Sequence, residues 1–274
     1  SIKPTGTLVI PETIEGYPVR TIGMNAMELC TDLKVVLMPS IVTIGISAFR
    51  GCSALENVSM PVAENIYKEA FYACVALVSV EMPSAHFIND NAFGDCSALT
   101  YVSMPEIQTL GNGVFARSYN IASFAISDDN EYYCAEGATL YTAGKTEVLY
   151  WLSAGGDIVL PESVKTIGFE AFYNCDGLTS ISMPGVETIG ESAFASCEYL
   201  TKVSMPNVKT VGKRAFYFCL ALTGASMPNA VTIYDDAFYS CLMLRSAAMP
   251  NVTVISVQAF GGCRSLENVV MPGV

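Results

Sequence analysis

Apolar and polar positions along this chain follow a short, fixed rhythm. In Leu55-Glu56-Asn57-Val58-Ser59-Met60, Val58 and Met60 alternate with Asn57 and Ser59, which predicts a strand with one buried face. Pro61 lacks an N–H and ends that strand. The chain then runs through Ile66 to Ala70-Phe71, with Cys74 three residues beyond the Phe. That i, i+3 spacing predicts a helical or 3-10 turn facing the same core.

The rhythm repeats. Met-Pro recurs every 22 residues from Met38-Pro39 to Met104-Pro105 and again from Met183-Pro184 to Met271-Pro272, with Ile10-Pro11 and Leu160-Pro161 in the same column. Ala-Phe recurs in step from Ala48-Phe49 to Ala259-Phe260, with Ala26-Met27 and Val114-Phe115 as looser copies, giving ten units. An aliphatic such as Ile44, Ile66 or Val211 stands four residues before each Ala. Gly stands three before it at Gly23, Gly45, Gly111, Gly168, Gly190 and Gly212, but Tyr67, Asn89, Tyr234 and Ser256 take that place elsewhere. A positive φ is therefore not required there. A unit this small cannot bury its own apolar edge, whereas stacked copies bury one another's. With turns about 4.8 Å apart, ten copies predict a rod on the order of 50 Å long.

The repeat is interrupted between Pro105 and Pro161. There the runs Ala138-Thr139-Leu140-Tyr141 and Val148-Leu149-Tyr150-Trp151-Leu152 flank Gly144-Lys145, which predicts a β-hairpin. The expected organisation is one domain over 1–274: repeats over 1–118, an insert over 119–157, and further repeats over 158–274.

The 274 residues are 51% apolar and 15% charged, with 14 basic against 26 acidic side chains and a net charge of −12. That balance argues against nucleic acid, which needs surplus Lys and Arg, and against a polybasic attachment to anionic lipid. No run approaches the ~20 apolar residues of a spanning helix. Ser1-Ile2-Lys3-Pro4 lacks the regions of a signal peptide, and Met271-Pro272-Gly273-Val274 stops partway through a repeat. A processed chain or a piece of a longer one is expected, and the missing targeting segment says nothing of localisation. The apolar edge at Val269-Val270-Met271 carries no polar cap, which predicts end-to-end self-association or further repeats.

Nine of the ten cysteines, from Cys30 to Cys263, share one column; Ser118 takes that column in the tenth copy, and Cys134 lies in the insert. Stacked Cβ vectors run parallel, which opposes the ~90° torsion of a disulfide, so a reduced core ladder is expected. No C-x₂-C pair occurs and the lone His86 sits in a turn, so no metal site is expected. Asp128-Asp129-Asn130-Glu131 lacks the frame of a calcium loop and reads as a turn. Tyr72, Tyr173, Tyr217 and Tyr239 follow Ala-Phe directly and should flank the core, with a contact stripe as the alternative. No triad, metal frame or phosphate loop appears, so no catalytic residue and no cofactor is assigned.

These columns resemble the leucine-rich repeats of the BspA-like family, on Leu55, Val58, Met60-Pro61, Ile66, Ala70-Phe71, Cys74 and Leu77. The opening Gly6-Thr7-Leu8-Val9-Ile10-Pro11 resembles the start of such domains, and Asp129 to Tyr133 with Gly137 to Tyr141 resembles their recurring hairpin insert. The family's usual Ile before Pro is mostly Met here. The resemblance implies a right-handed leucine-rich-repeat solenoid of short parallel strands, turns and short helical or 3-10 segments with one hairpin insert. It also implies a secreted or surface-anchored bacterial protein that adheres to a host or microbial surface protein or glycan.

The outward strand positions are the candidate contact surface. Asn57, Ser59, Glu81, Tyr101, Ser103, Ser180, Ser182, Lys202, Ser204 and Ser226 form a small, Ser-rich, weakly charged face, with Tyr101 and Lys202 its larger features. Short hydroxyl side chains lose little entropy on binding, which suits a shallow trough for an extended polypeptide or glycan. The alternative is a rigid spacer within a larger surface protein.

Overall fold

The computed structural model describes residues 3–151 and 155–271. Leu152 and Pro272, read above as parts of a hairpin run and of the last Met-Pro, lie outside the described residues. The chain divides into two compact units, Ser1–Ala143 and Gly144–Val274, at a point inside the expected insert.

Each unit is a β-solenoid whose turns carry two short parallel strands. In the first, Gly6–Val9, Leu33–Leu37 and Asn57–Ser59 form one three-stranded face sheet, and Ser79–Glu81, Tyr101–Ser103 and Ser123–Ala125 form another. In the second unit the face sheets are Gly156–Val159, Leu178–Ser182 and Lys202–Ser204, then Gly224–Ser226, Ser246–Ala248 and Asn268–Val270. Register follows the repeat, so that Val36 lies opposite Val58 and Ile181 opposite Val203. The two-residue strands after each Pro form a second parallel ladder, with Ile22, Ile44, Ile66 and Ile88 aligned in the first unit and Ile167, Ile189, Val211 and Ile233 in the second.

The interior is a set of like-on-like columns. Phe49, Phe71 and Phe93 stack at 5.1 Å between ring centroids, and Phe172, Phe194, Phe216 and Phe238 at 4.8 to 5.1 Å. All seven are fully buried. Offset-stacked rings add about 0.5–1.5 kcal/mol per pair beyond burial. Trp151 stacks on Phe172 at 5.2 Å and continues the column. Its backbone N–H bonds the Ala171 carbonyl, and Glu147–Trp151 runs parallel to Thr166–Ile167. The end of the expected insert is therefore a degenerate repeat turn, which its irregular spacing concealed.

The Ala-Phe segments are consecutive β-turns instead of the helical turns the i, i+3 spacing suggested. Around Phe49, the N–H groups of Ala48, Arg50 and Cys52 close turns to the carbonyls of Gly45, Ser47 and Phe49. The intervening N–H groups of Ser47, Phe49 and Gly51 bond the next turn, at Lys68, Ala70 and Tyr72. A helix directs all its amides along its own axis and leaves none for a neighbour. Stacking needs alternate peptides turned outward, and residues in the left-handed region turn them. Hence Ser47 (φ 53) and Gly51 (φ 69), Glu69 (56) and Ala73 (57), Glu170 (50) and Asn174 (55) recur at fixed places. Each non-Gly residue there costs roughly 1–2 kcal/mol, offset by the inter-turn bond it allows. At Gly45, Gly111, Gly190 and Gly212 the glycine three before Ala, or before Val114, lets the preceding turn come close, whereas a Cβ on Gly23 would meet nothing. A Cβ on Gly212 would lie 2.6 Å from the Gly190 carbonyl carbon.

In the first unit, Tyr133–Glu136 pairs antiparallel with Thr139–Thr142 around Gly137-Ala138, with Gly137 at φ +59. Gly at the first loop position suits a type II′ hairpin. This hairpin falls on the segment that carried the family resemblance.

Candidate functional site

The face strands hold the predicted contact residues because their inward partners, such as Val80, Val102 and Ile181, are buried and pleating turns their neighbours out. Asn57, Ser59, Glu81, Tyr101, Lys202, Ser204 and Ser226 are exposed, whereas Ser103, Ser180 and Ser182 are half-buried. In the first unit Tyr101 lies opposite Ser79 and Ser103 opposite Glu81. Asn57, Ser59, Ser79 and Glu81 line an open trough of about 280 Å³ rimmed by Pro61 and Pro83. In the second unit Ser180 lies opposite Lys202, Ser182 opposite Ser204, and Ser226 opposite Ala248.

One face residue escaped the sequence reading. Asp157 lies opposite Ser180 and accepts hydrogen bonds from the Ser180 hydroxyl (2.5 Å) and the Thr179 hydroxyl (3.1 Å). Those bonds, with the nearby Lys202 charge, hold its carboxyl below the usual range. The face thus gains a fixed carboxylate, and Ser180 spends its hydroxyl on it. The signal was Asp157 standing just before Ile158-Val159-Leu160, but the insert boundary hid it.

The cysteines are free, and they do more than fill space. The Cys74 thiol donates to the Phe49 carbonyl of the preceding turn at 3.2 Å, Cys197 to Phe172 at 3.0 Å and Cys219 to Phe194 at 3.1 Å. Ser118, the exception in the column, makes the same bond to Phe93 at 2.8 Å. The column therefore selects a small buried donor, a requirement that apolarity alone did not reveal. Burial pushes the Cys96 and Cys175 thiols up to about 12 and Cys52 to about 11, so all three stay protonated.

The tyrosines flank the core as expected. Tyr72 donates to the Asp95 carboxylate, which raises the phenol, and Arg50 lies over its ring at 5.4 Å while pairing with Glu69. Tyr217 and Tyr239 stack at 5.4 Å, with Arg214 over Tyr217 and paired to Asp236. Beside them in the second unit an apolar stripe is exposed: Tyr199 (60%), Met243 (54%), Phe218 and Leu242 (37% each). Asn130 accepts from the N–H groups of Tyr132 and Tyr133, which builds the acidic segment into a turn. His86 occupies its turn half-buried. Among the described residues no group of three or more His, Cys, Asp or Glu converges, and no helix is long and apolar enough to cross a membrane.

The profile described as BspA type leucine rich repeat region matches in six copies, over residues 20–136 and 148–272. The chain belongs to the BspA-type leucine-rich-repeat family. Among solved structures, this BspA-type chain is similar to a leucine-rich cell surface protein from Faecalibacterium prausnitzii, at 25% identity and a TM-score of 0.72, covering 99% of this chain and 89% of that one. The pneumococcal vaccine antigen PcpA shares the fold at 18% identity and a TM-score of 0.71, over 97% of this chain and 78% of that one. A leucine-rich-repeat protein from Eubacterium ventriosum does so at 21% and 0.66, over 98% and 85%. No curated protein matches the sequence.

Proposed function

We propose that this BspA-type chain is a non-enzymatic recognition module at a bacterial surface or outside the cell, binding protein or glycan ligands through its outward strand positions and the 119–157 segment. One observation carries the reading. The face strands keep Asn57, Ser59, Glu81, Tyr101, Lys202, Ser204 and Ser226 exposed on backbones locked into parallel ladders. Preorganised short side chains lose little freedom when a ligand arrives, so many weak contacts sum to affinity. An inert spacer has no use for an apolar stripe such as Tyr199 and Met243, which favours recognition.

The test is surface-plasmon binding to a panel of immobilised extracellular-matrix proteins and glycans. Tyr101→Ala and Lys202→Glu should weaken capture without moving the thermal midpoint. Capture by no member of the panel, or variants that bind as the parent does, would overturn the reading.

A further inference from the structure

The corner that follows Met-Pro differs from turn to turn, and in the second unit it carries a carboxamide ladder. Asn207, Asn229 and Asn251 each donate Nδ2 to the proline carbonyl one turn back, at 2.7 Å to Pro184, 2.8 Å to Pro206 and 2.7 Å to Pro228. One N–H and the Oδ1 of each remain for an outside partner. Asn207 and Asn229 line a groove of about 420 Å³ with Lys165, Gly185, Glu187, Lys209 and Val231. That volume lies within the roughly 300–1,000 Å³ of small-molecule sites. Lys209 Nζ sits 2.6 Å from Glu187 Oε2, which keeps Glu187 ionised, and Lys165 Nζ donates to the Glu162 carbonyl at 3.2 Å. Gly185 replaces Asn in the first rung because a Cβ there would collide with the Glu162 carbonyl.

We infer that this groove is a binding site for an uncharged oligosaccharide lying across the rungs. The chemistry excludes the other classes in turn. Apolar ligands meet a single apolar wall, Val231. Polyions find no cluster of like charge: Lys209 is paired to Glu187, and Lys165, the one further charge in the lining, donates to the Glu162 carbonyl. A peptide brings side chains for which the groove has no apolar pockets. A hydroxyl both donates and accepts, which matches the free N–H and Oδ1 that successive rungs repeat about 4.8 Å apart. The first unit has no such array: Ser40, Val62, Ser84 and Glu106 occupy the corner, and the Ser84 hydroxyl is spent on the Pro61 carbonyl at 3.0 Å.

Ser84 also supplies the test. Asn207→Ser with Asn229→Ser should keep a bond to the preceding proline and remove the free amides, leaving the thermal midpoint unchanged. Calorimetric titration with cello-, xylo-, manno- and maltohexaose, with polygalacturonate and a Gly/Ser/Thr hexapeptide beside them, reads the ligand class. At least one neutral hexasaccharide should bind saturably at millimolar concentration or below, and the double variant should weaken it by about tenfold, or 1.4 kcal/mol. No binding by any hexaose, equal binding by the folded variant, or tighter binding of polygalacturonate or the hexapeptide would each overturn the inference. The variants Tyr101→Ala and Lys202→Glu leave these groove residues intact, so failure here and failure of the strand-face reading are separable.

Discussion

The two units have interiors of the same kind and differ in what they show to solvent. Buried Phe, Cys, Met and aliphatic columns recur in both, with Phe71 and Phe216 equally inaccessible. Up to Ala143 the chain has six basic and fifteen acidic residues, and from Gly144 eight and eleven. The two positions after the column cysteine are small or polar in most first-unit turns, as in Ser53-Ala54 and Ser97-Ala98. In the second unit Glu198-Tyr199, Leu220-Ala221 and Leu242-Met243 bring larger apolar side chains there, while Asp176-Gly177 and Arg264-Ser265 stay small or polar. A stacked rung fixes what lies inside, because each inward side chain must match the one above and below it. It leaves the corners free to vary, and there the second unit acquires its apolar stripe and its carboxamides.

If the interiors are equivalent, equivalent damage should cost the same. Phe71→Ala and Phe216→Ala should each destabilise their unit by about 3–5 kcal/mol, as large-to-small changes in a packed core do. Urea unfolding followed in each unit would break the comparison if one substitution proved mild. Alkaline pH should act on both. The buried thiols of Cys52, Cys96 and Cys175 hold their protons far above the ordinary thiol value. Their contribution to stability is complete below the unfolded thiol pKa near 9 and is lost as pH climbs toward 11 to 12. The urea midpoint should therefore be flat from pH 7 to about 8.5 and fall above it; a midpoint that rises in that window would refute the thiol assignment.

Smaller effects sharpen the contrast. Cys219→Val should cost about 1 kcal/mol through the lost bond to Phe194, whereas Cys219→Ser, which installs the hydroxyl donor already present at Ser118, should cost less. Equal losses for the two would reduce the column to packing alone. Smallest of all, Tyr199→Ser with Met243→Ser should shift stability by no more than about 0.5 kcal/mol, since both side chains are mostly exposed. The same pair should shorten retention on a hydrophobic-interaction column, and unchanged retention would show that the stripe is covered in solution.

Several of these features could be read directly from residue order. The period of 22, the inward Val-x-Met alternation, the Phe stack, the unpaired cysteines and the outward placement of Asn57, Ser59, Tyr101 and Lys202 all follow from side-chain periodicity, which a stacked repeat enforces in every copy. The same order misled at Ala-Phe, where i, i+3 spacing fits a helical turn and a pair of β-turns equally well.

Three-dimensional contact resolved what periodicity left open. Left-handed residues at Ser47, Glu69 and Glu170 carry no residue-type signature, since the demand for an outward N–H comes from the neighbouring turn. Trp151 completing the Phe column, Asp157 capturing Ser180, and the Asn207 amide reaching Pro184 are likewise pairings between residues some 20 positions apart. Alternation along a strand is local and therefore written in the sequence; the partner one rung away is chosen by stacking, and stacking exists only once the chain has folded.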